Sequence, residues 1–223
     1  MRVIGLLAGN AVVDLVIGHG EHPDTTLYRA GWIAGRPVEA RCCDGDVVVT
    51  LEVRPVSPAD APPADRMVVY EEPGTDEVPV IRQRIGAYGI VLSERGLLGT
   101  VLSRITGAPG AWNLPGGGLD AGEEPMAGLL REIHEETGQE VVAGQLLALQ
   151  SDHWIGRAPN GGLEDYHALR IIYSATCEKP SRPRVHDLGG STARADWVPV
   201  KSWRRIPWTR AARQVLSQHL PSR

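Results

Sequence analysis

The sequence predicts an α/β chain in two parts, and three observations carry that reading. Short β-like runs alternate with turn residues before residue 80. From Arg84 onward the order becomes strand, loop, helix, strand. The composition, 42% apolar and 22% charged, is that of a chain able to bury a core over its 223 residues. Residues 1–80 therefore read as a small β-rich N-terminal module, and residues 81–223 as a second, larger domain.

In the first part, Val38–Cys43 and Val47–Val53 flank Asp44-Gly45-Asp46, a β-hairpin signal. The proline-rich stretch from Pro55 to Pro63 cannot form a regular helix or an interior strand and reads as a stiff connector. A short strand over Met67–Glu72 follows. In the second part, Ile85–Leu92 and Leu97–Arg104 read as paired strands, and Thr106–Gly110 as a turn leading to Trp112 and the glycine run Gly116-Gly117-Gly118. The next segment is a helix: Pro125 fits its first turn, Gly138 its end, and Met126, Leu129, Leu130 and Ile133 form one apolar stripe. Strands over Val141–Gln150, Ala168–Cys177 and Ala195–Val200 and a helix over Thr209–Leu220 complete the pattern.

Bulk properties exclude some functions. A net charge of −4 argues against nucleic acid or an anionic membrane as the main partner, since both reward a basic surface. No window approaches the ~20 apolar residues of a membrane span. Asn10 and Asp14 interrupt the apolar N-terminus, so it does not read as a signal peptide and a cytoplasmic address is expected. Cys42, Cys43 and Cys177 have no CxxC spacing and read as small buried hydrophobes. His19 and His22 form an HxxH without a third ligand nearby in sequence, and are not read as a zinc site.

Chemistry concentrates on the first helix. Glu132, Glu135 and Glu136 fall at i, i+3 and i+4, so at ~100° per residue they share one side, read here as the side opposite the apolar stripe. Three carboxylates that close repel one another, and they lie toward the helix C-terminus, where the macrodipole disfavours anions. A hard divalent cation removes that objection. Arg131, four residues before Glu135, can orient one carboxylate. Gly116-Gly117-Gly118 allows close backbone approach to an anion or a metal.

Gly117, five residues, Glu123, seven residues, then Arg131-Glu132-Ile133-His134-Glu135-Glu136-Thr137-Gly138 resembles the Nudix box, matching all seven fixed identities and the first aliphatic position. The last aliphatic position holds Gln139, with Val141 and Val142 as candidates for the missing packing. The resemblance covers about residues 84–220 and is sharp over 112–138. It implies an α/β/α sandwich around a mixed sheet, preceded here by the β-rich module. It implies Mg²⁺, with Mn²⁺ as an alternative, held by Gly117, Glu132, Glu135 and Glu136. Glu132 is then a ligand or the base that activates water, Arg131 orients a glutamate, and Glu123 is supportive. Asp187, or Glu164 with Asp165 beside it, is expected as a base outside the box, with Asp187 and Glu164 ranked equal.

The implied substrate is a nucleotide-like small molecule with a diphosphate linkage. A nucleoside triphosphate, oxidised forms included, is the default expectation, with ADP-ribose or a nucleotide sugar as the alternative. A non-catalytic nucleotide-binding regulator is the rival from another class. The resemblance also raises the expectation that the β-rich extension contributes to a homodimer or to shaping the substrate pocket. His153-Trp154 and Tyr166-His167 flank a Gly/Pro/Asn loop where an aromatic could stack on a base. Trp112 reads as a core anchor and His134 as exposed.

Overall fold

The computed structural model describes residues 1–64, 67–74 and 77–220. In chain order the elements are β1 (Arg2–Leu7), β2 (Asn10–Val16), α1 (Pro23–Arg29), β3 (Trp32–Cys43), β4 (Asp46–Pro55), β5 (Met67–Val69), β6 (Val80–Ser93), β7 (Gly96–Leu102), β8 (Trp112–Asn113) and β9 (Gly116–Gly118). Then come α2 (Pro125–Thr137), β10 (Val142–Arg157), β11 (Leu163–Thr176), β12 (Thr192–Val198), a 3₁₀ turn (Val200–Arg205) and α3 (Arg210–His219). The chain divides into two compact units, Met1–Ile85 with Leu119–Pro125 and Ala148–Ile171, and Gly86–Gly118 with Met126–Leu147 and Ile172–Arg223. Both sheets are mixed and the helices are few, the α/β class expected.

The first unit contains a four-stranded sheet of order β2-β1-β4-β3, in which β1 and β4 are parallel and the outer pairs antiparallel. Its hairpins turn on Ala8-Gly9 and Asp44-Gly45, with positive φ at both residues of each pair, as type I′ turns require. Val3, Leu27, Val49 and Leu51 are buried as its core. The proline-rich connector is anchored by Asp60, whose carboxylate takes two hydrogen bonds from Arg54 and one from the Ser57 N–H. In the same unit β5 pairs in parallel with β10, opposite His153, Trp154 and Ile155.

In the second unit β7 pairs with β12, β6 and β8, and β6 also pairs with β9. Helix α2 seats on β6 at Gly89, where an ideal Cβ would lie 3.2 Å from Ile133 Cδ1 and 3.4 Å from Leu129 Cδ1. Trp208, just before α3, meets Trp112 edge-on at 5.8 Å, so Trp112 is a core residue.

Several boundaries differ from the sequence reading. The β10 and β11 strands are longer than expected, so that His153, Trp154, Glu164, Asp165, Tyr166 and His167 all lie on strands on either side of residues 158–162. The strand at Met67 stops at Val69, and β12 ends at Val198 because Pro199 has no N–H to donate. Of the α2 apolar stripe, Leu129 and Ile133 are fully buried while Met126 and Leu130 are exposed. Burial of the cysteines holds only for Cys177; Cys42 is half-buried and Cys43 exposed. Among the described residues, no helix is long and apolar enough to cross a membrane.

Candidate active site

The glycine run and α2 converge within the second unit. Strand β9 pairs antiparallel with β6 through Gly86↔Gly118, Ala87↔Gly117 and Tyr88↔Gly116. This pairing is tight enough to demand glycine. Gly116 has φ +133°, and a side chain there would run into the Ala87 carbonyl oxygen. At Gly117 an ideal Cβ would stand 2.5 Å from the Glu132 carboxyl carbon. The backbone of β9 and the Glu132 carboxylate thus lie against each other with no side chain between.

Arg131 organises the exposed side of the cluster. Its Nη1 donates to Glu132 Oε1 at 3.0 Å and to Glu135 Oε2 at 3.1 Å, while Nη2 donates to the Gly118 carbonyl at 3.3 Å. One guanidinium therefore fixes two carboxylates and the end of the glycine strand. Glu132 is mostly buried and Glu135 substantially exposed.

Glu136 departs from the sequence reading. The carboxylates were placed opposite the apolar stripe, yet Glu136 is 5% exposed and lies on the buried side with Leu129 and Ile133. The reason is angular: positions 129, 133 and 136 follow i, i+4, i+7 and share one face. Its Oε2 accepts the Gly116 N–H at 3.0 Å, and its Oε1 accepts the Thr192 hydroxyl. Burial pushes the Glu136 carboxyl up to about 7, against hydrogen bonds from Thr192, Gly116 and Ser191, and the charge of Glu132 adds to the rise. Thr192, on β12, is a site residue that sequence reasoning missed.

Segment 184–187 caps the C-terminal end of α2. The Arg184 N–H donates to Thr137 O, while the His186 and Asp187 N–H groups donate to Glu135 O at 2.8 and 3.2 Å. These bonds satisfy carbonyls that a helix end leaves unpaired. They also place Asp187 at the rim of a groove of about 390 Å³ lined by Ser103, Arg104, Asp187, Leu188 and Thr192. Glu164 belongs to the other unit, where Arg82 Nε lies 2.5 Å from its carboxylate. Glu123 accepts the Asp120 N–H at 3.0 Å and closes the loop before α2.

Gln139 behaves unlike the expectation for its position. It is 2% exposed, donates to Thr137 O and Ser181 Oγ, and accepts the Ser181 N–H. Val142 is exposed and supplies no packing. A polar residue fits because every polar atom of its amide has a partner.

The family model described as NUDIX domain matches residues 82–219, more than half of the chain. The chain belongs to the NUDIX family. Among curated relatives, it is 47% identical over 53 residues to an RNA pyrophosphohydrolase of Agrobacterium fabrum, covering 24% of this chain and 29% of the relative. It is 41% identical over 105 residues to an RNA pyrophosphohydrolase of Brucella anthropi, covering 42% of this chain and 59% of the relative. The matched stretches thus span less than two thirds of either relative. The solved MutT NUDIX hydrolase of Burkholderia pseudomallei shares 26% identity, covering 62% of this chain and 98% of that one, with a TM-score of 0.46. Membership rests on the family model, which encloses the whole NUDIX box described above.

Proposed function

We propose that the chain is a divalent-metal-dependent hydrolase that cleaves the diphosphate linkage of a nucleotide-like substrate. The observation that carries this is the Arg131 guanidinium bridging Glu132, Glu135 and Gly118 O beside a side-chain-free β9 backbone. Oxygen ligands of this charge suit Mg²⁺, with Mn²⁺ second. The donor set fits such an ion: Glu136 is a buried carboxylate raised to about 7, so a cation nearby would stabilise its charged form. Glu132, Glu135, Glu136 and the Gly117 backbone would hold the ion. When bound, Mg²⁺ lowers the pKa of water and neutralises phosphate charge.

The protein groups have separate tasks on this reading. Arg131 holds Glu132 and Glu135 in register, and the Gly116 N–H and Thr192 hydroxyl hold Glu136. Glu132 is one candidate for taking the proton from water. Asp187 is the favoured base outside the box, because its backbone is tied to Glu135 and it lines the groove with Thr192 and Arg104. Glu164 is engaged by Arg82 and is the weaker candidate. Arg104 supplies a positive charge for substrate phosphate.

A nucleoside triphosphate, oxidised forms included, remains the preferred substrate, with ADP-ribose or a nucleotide sugar as the alternative. RNA joins the panel because several relatives carry the name RNA pyrophosphohydrolase. The domain division into residues 1–80 and 81–223, a cytoplasmic address and homodimerisation belong to the same proposal. The test is release of phosphate or pyrophosphate from this panel with Mg²⁺ and after chelation. Chelator-sensitive turnover of one class is expected; tight nucleotide binding without turnover of any would favour the regulator reading.

A further inference from the structure

A second cluster lies in the first unit and uses none of the box residues. His19 follows β2, His153 is on β10 and Asp165 on β11. His19 Nε2 lies 2.8 Å and His153 Nε2 2.5 Å from the same Asp165 oxygen, Oδ1. One ligand atom from each residue falls within 4.8 Å of the others. The rings meet edge-on at 5.2 Å. His22, the other histidine of the HxxH, instead accepts the Asp24 N–H at the start of α1.

The surroundings are built for this arrangement. His167 is fully buried and packs its ring 5.8 Å from His19 and 5.9 Å from His153. Its Nδ1 accepts the Gly20 N–H at 3.1 Å and a Gln83 amide N–H at 2.8 Å, and its Nε2 lies 2.8 Å from Ser151 Oγ. Both nitrogens being engaged, His167 is a wall and not a ligand. Gly20 has φ +75°, and an ideal Cβ there would stand 2.8 Å from His153 Cε1. His19 Nδ1 is buried and, among the described residues, has no hydrogen-bond partner.

We propose that His19, His153 and Asp165 form a second metal site, taking a borderline divalent ion, Zn²⁺ foremost, through both Nε2 atoms and an Asp165 oxygen. Two imidazoles and one carboxylate suit zinc and are poor ligands for Mg²⁺, so this site and the box select different ions. In tetrahedral coordination, bonds of ~2.0 Å put ligand atoms about 3.3 Å apart, so the His–Asp pairs, now 2.8 and 2.5 Å apart, would open slightly on binding. Each ring gives up its Nε2 proton and carries one on Nδ1, a tautomer change that leaves a neutral imidazole to coordinate. Water fills the fourth position. His19 and Asp165 are 146 residues apart, so the ion would tie the segment after β2 to the β10–β11 hairpin.

The test uses the full chain, stripped with chelator and held in excess Mg²⁺ so that the box is occupied. One equivalent of Co²⁺ should give the intense visible bands of a low-coordinate, histidine-ligated ion, and Zn²⁺ should displace it and raise the melting temperature. Asp165→Asn and His153→Gln should lose the bands, whereas Glu132→Gln/Glu135→Gln should keep them. Crystals of the wild-type chain grown with Zn²⁺ provide a reading independent of variant folding. An anomalous peak bounded by His19, His153 and Asp165 is expected; a peak only at the box carboxylates, or none, overturns the proposal.

Discussion

The Thr192 hydroxyl donates to the Glu136 carboxylate from 56 residues further along the chain, and it does so inside the protein, where Glu136 is 5% exposed. The bond joins β12 to the end of α2 and holds a carboxylate that burial disfavours. Thr192→Val removes one of the donors that hold this carboxylate. The variant should lose about 1–3 kcal/mol of stability in urea unfolding and bind Mg²⁺ more weakly. Unchanged stability and affinity would mean that Gly116 and Ser191 suffice to position Glu136.

The pH dependence of the metal-free protein follows from the same carboxyl. Its folded value, about 7, lies above its ordinary value of 4.5, so the folded state holds a proton that the unfolded chain releases first. The associated stability is complete below pH 4.5 and is lost as pH rises through about 7, on the order of 3 kcal/mol in all. Thermal melts of chelator-treated protein should fall across this window, and Mg²⁺ should offset most of the fall at its upper end. A flat profile would show that Glu136 is ionised throughout.

Two neighbouring glycines should respond differently to alanine. Gly116→Ala puts a Cβ into the Ala87 carbonyl at φ +133° and should cost roughly 2–4 kcal/mol of stability. At Gly117 the three atoms nearest an added Cβ all belong to the Glu132 carboxyl, the far end of a side chain that can shift. Gly117→Ala should stay folded while kcat falls, because the displaced group is a proposed metal ligand. Circular dichroism melts and turnover, measured on both, separate the two effects.

The base outside the box can be assigned by a pair of variants. Asp187→Asn should lower kcat by ~10²-fold or more with little change in melting temperature. Glu164→Gln breaks the partly exposed pair with Arg82 and should shift stability by no more than about 1 kcal/mol, with kcat nearly intact. The reverse pattern would transfer the role to Glu164.

What could be read in advance follows from how chemistry is distributed along the chain. The NUDIX box was legible because its carboxylates lie within one helix, where spacing in sequence is spacing in space. The hairpin at Asp44-Gly45 was legible because a type I′ turn demands those residue types. Thr192 was not, since a lone threonine on a strand carries no signal until β12 docks beside α2. The orientation of Glu136 was within reach of helical geometry but was obscured by counting Met126 and Leu130 in the apolar stripe. Gln139 appeared as a missing apolar contact, because its partner Ser181 is 42 residues away. The His19, His153 and Asp165 cluster was hidden for the same reason, and the HxxH suggested the wrong partner for His19.

The central claim is that the Arg131-held carboxylates support metal-dependent phosphoanhydride hydrolysis. It is tested most directly by kcat for the best substrate of the panel, measured at saturating Mg²⁺ for the wild type and for Glu135→Gln. A loss of ~10²-fold or more with the fold intact, together with loss of wild-type turnover on chelation, is the predicted result. Undiminished turnover by Glu135→Gln, or full wild-type activity in chelator, would contradict it.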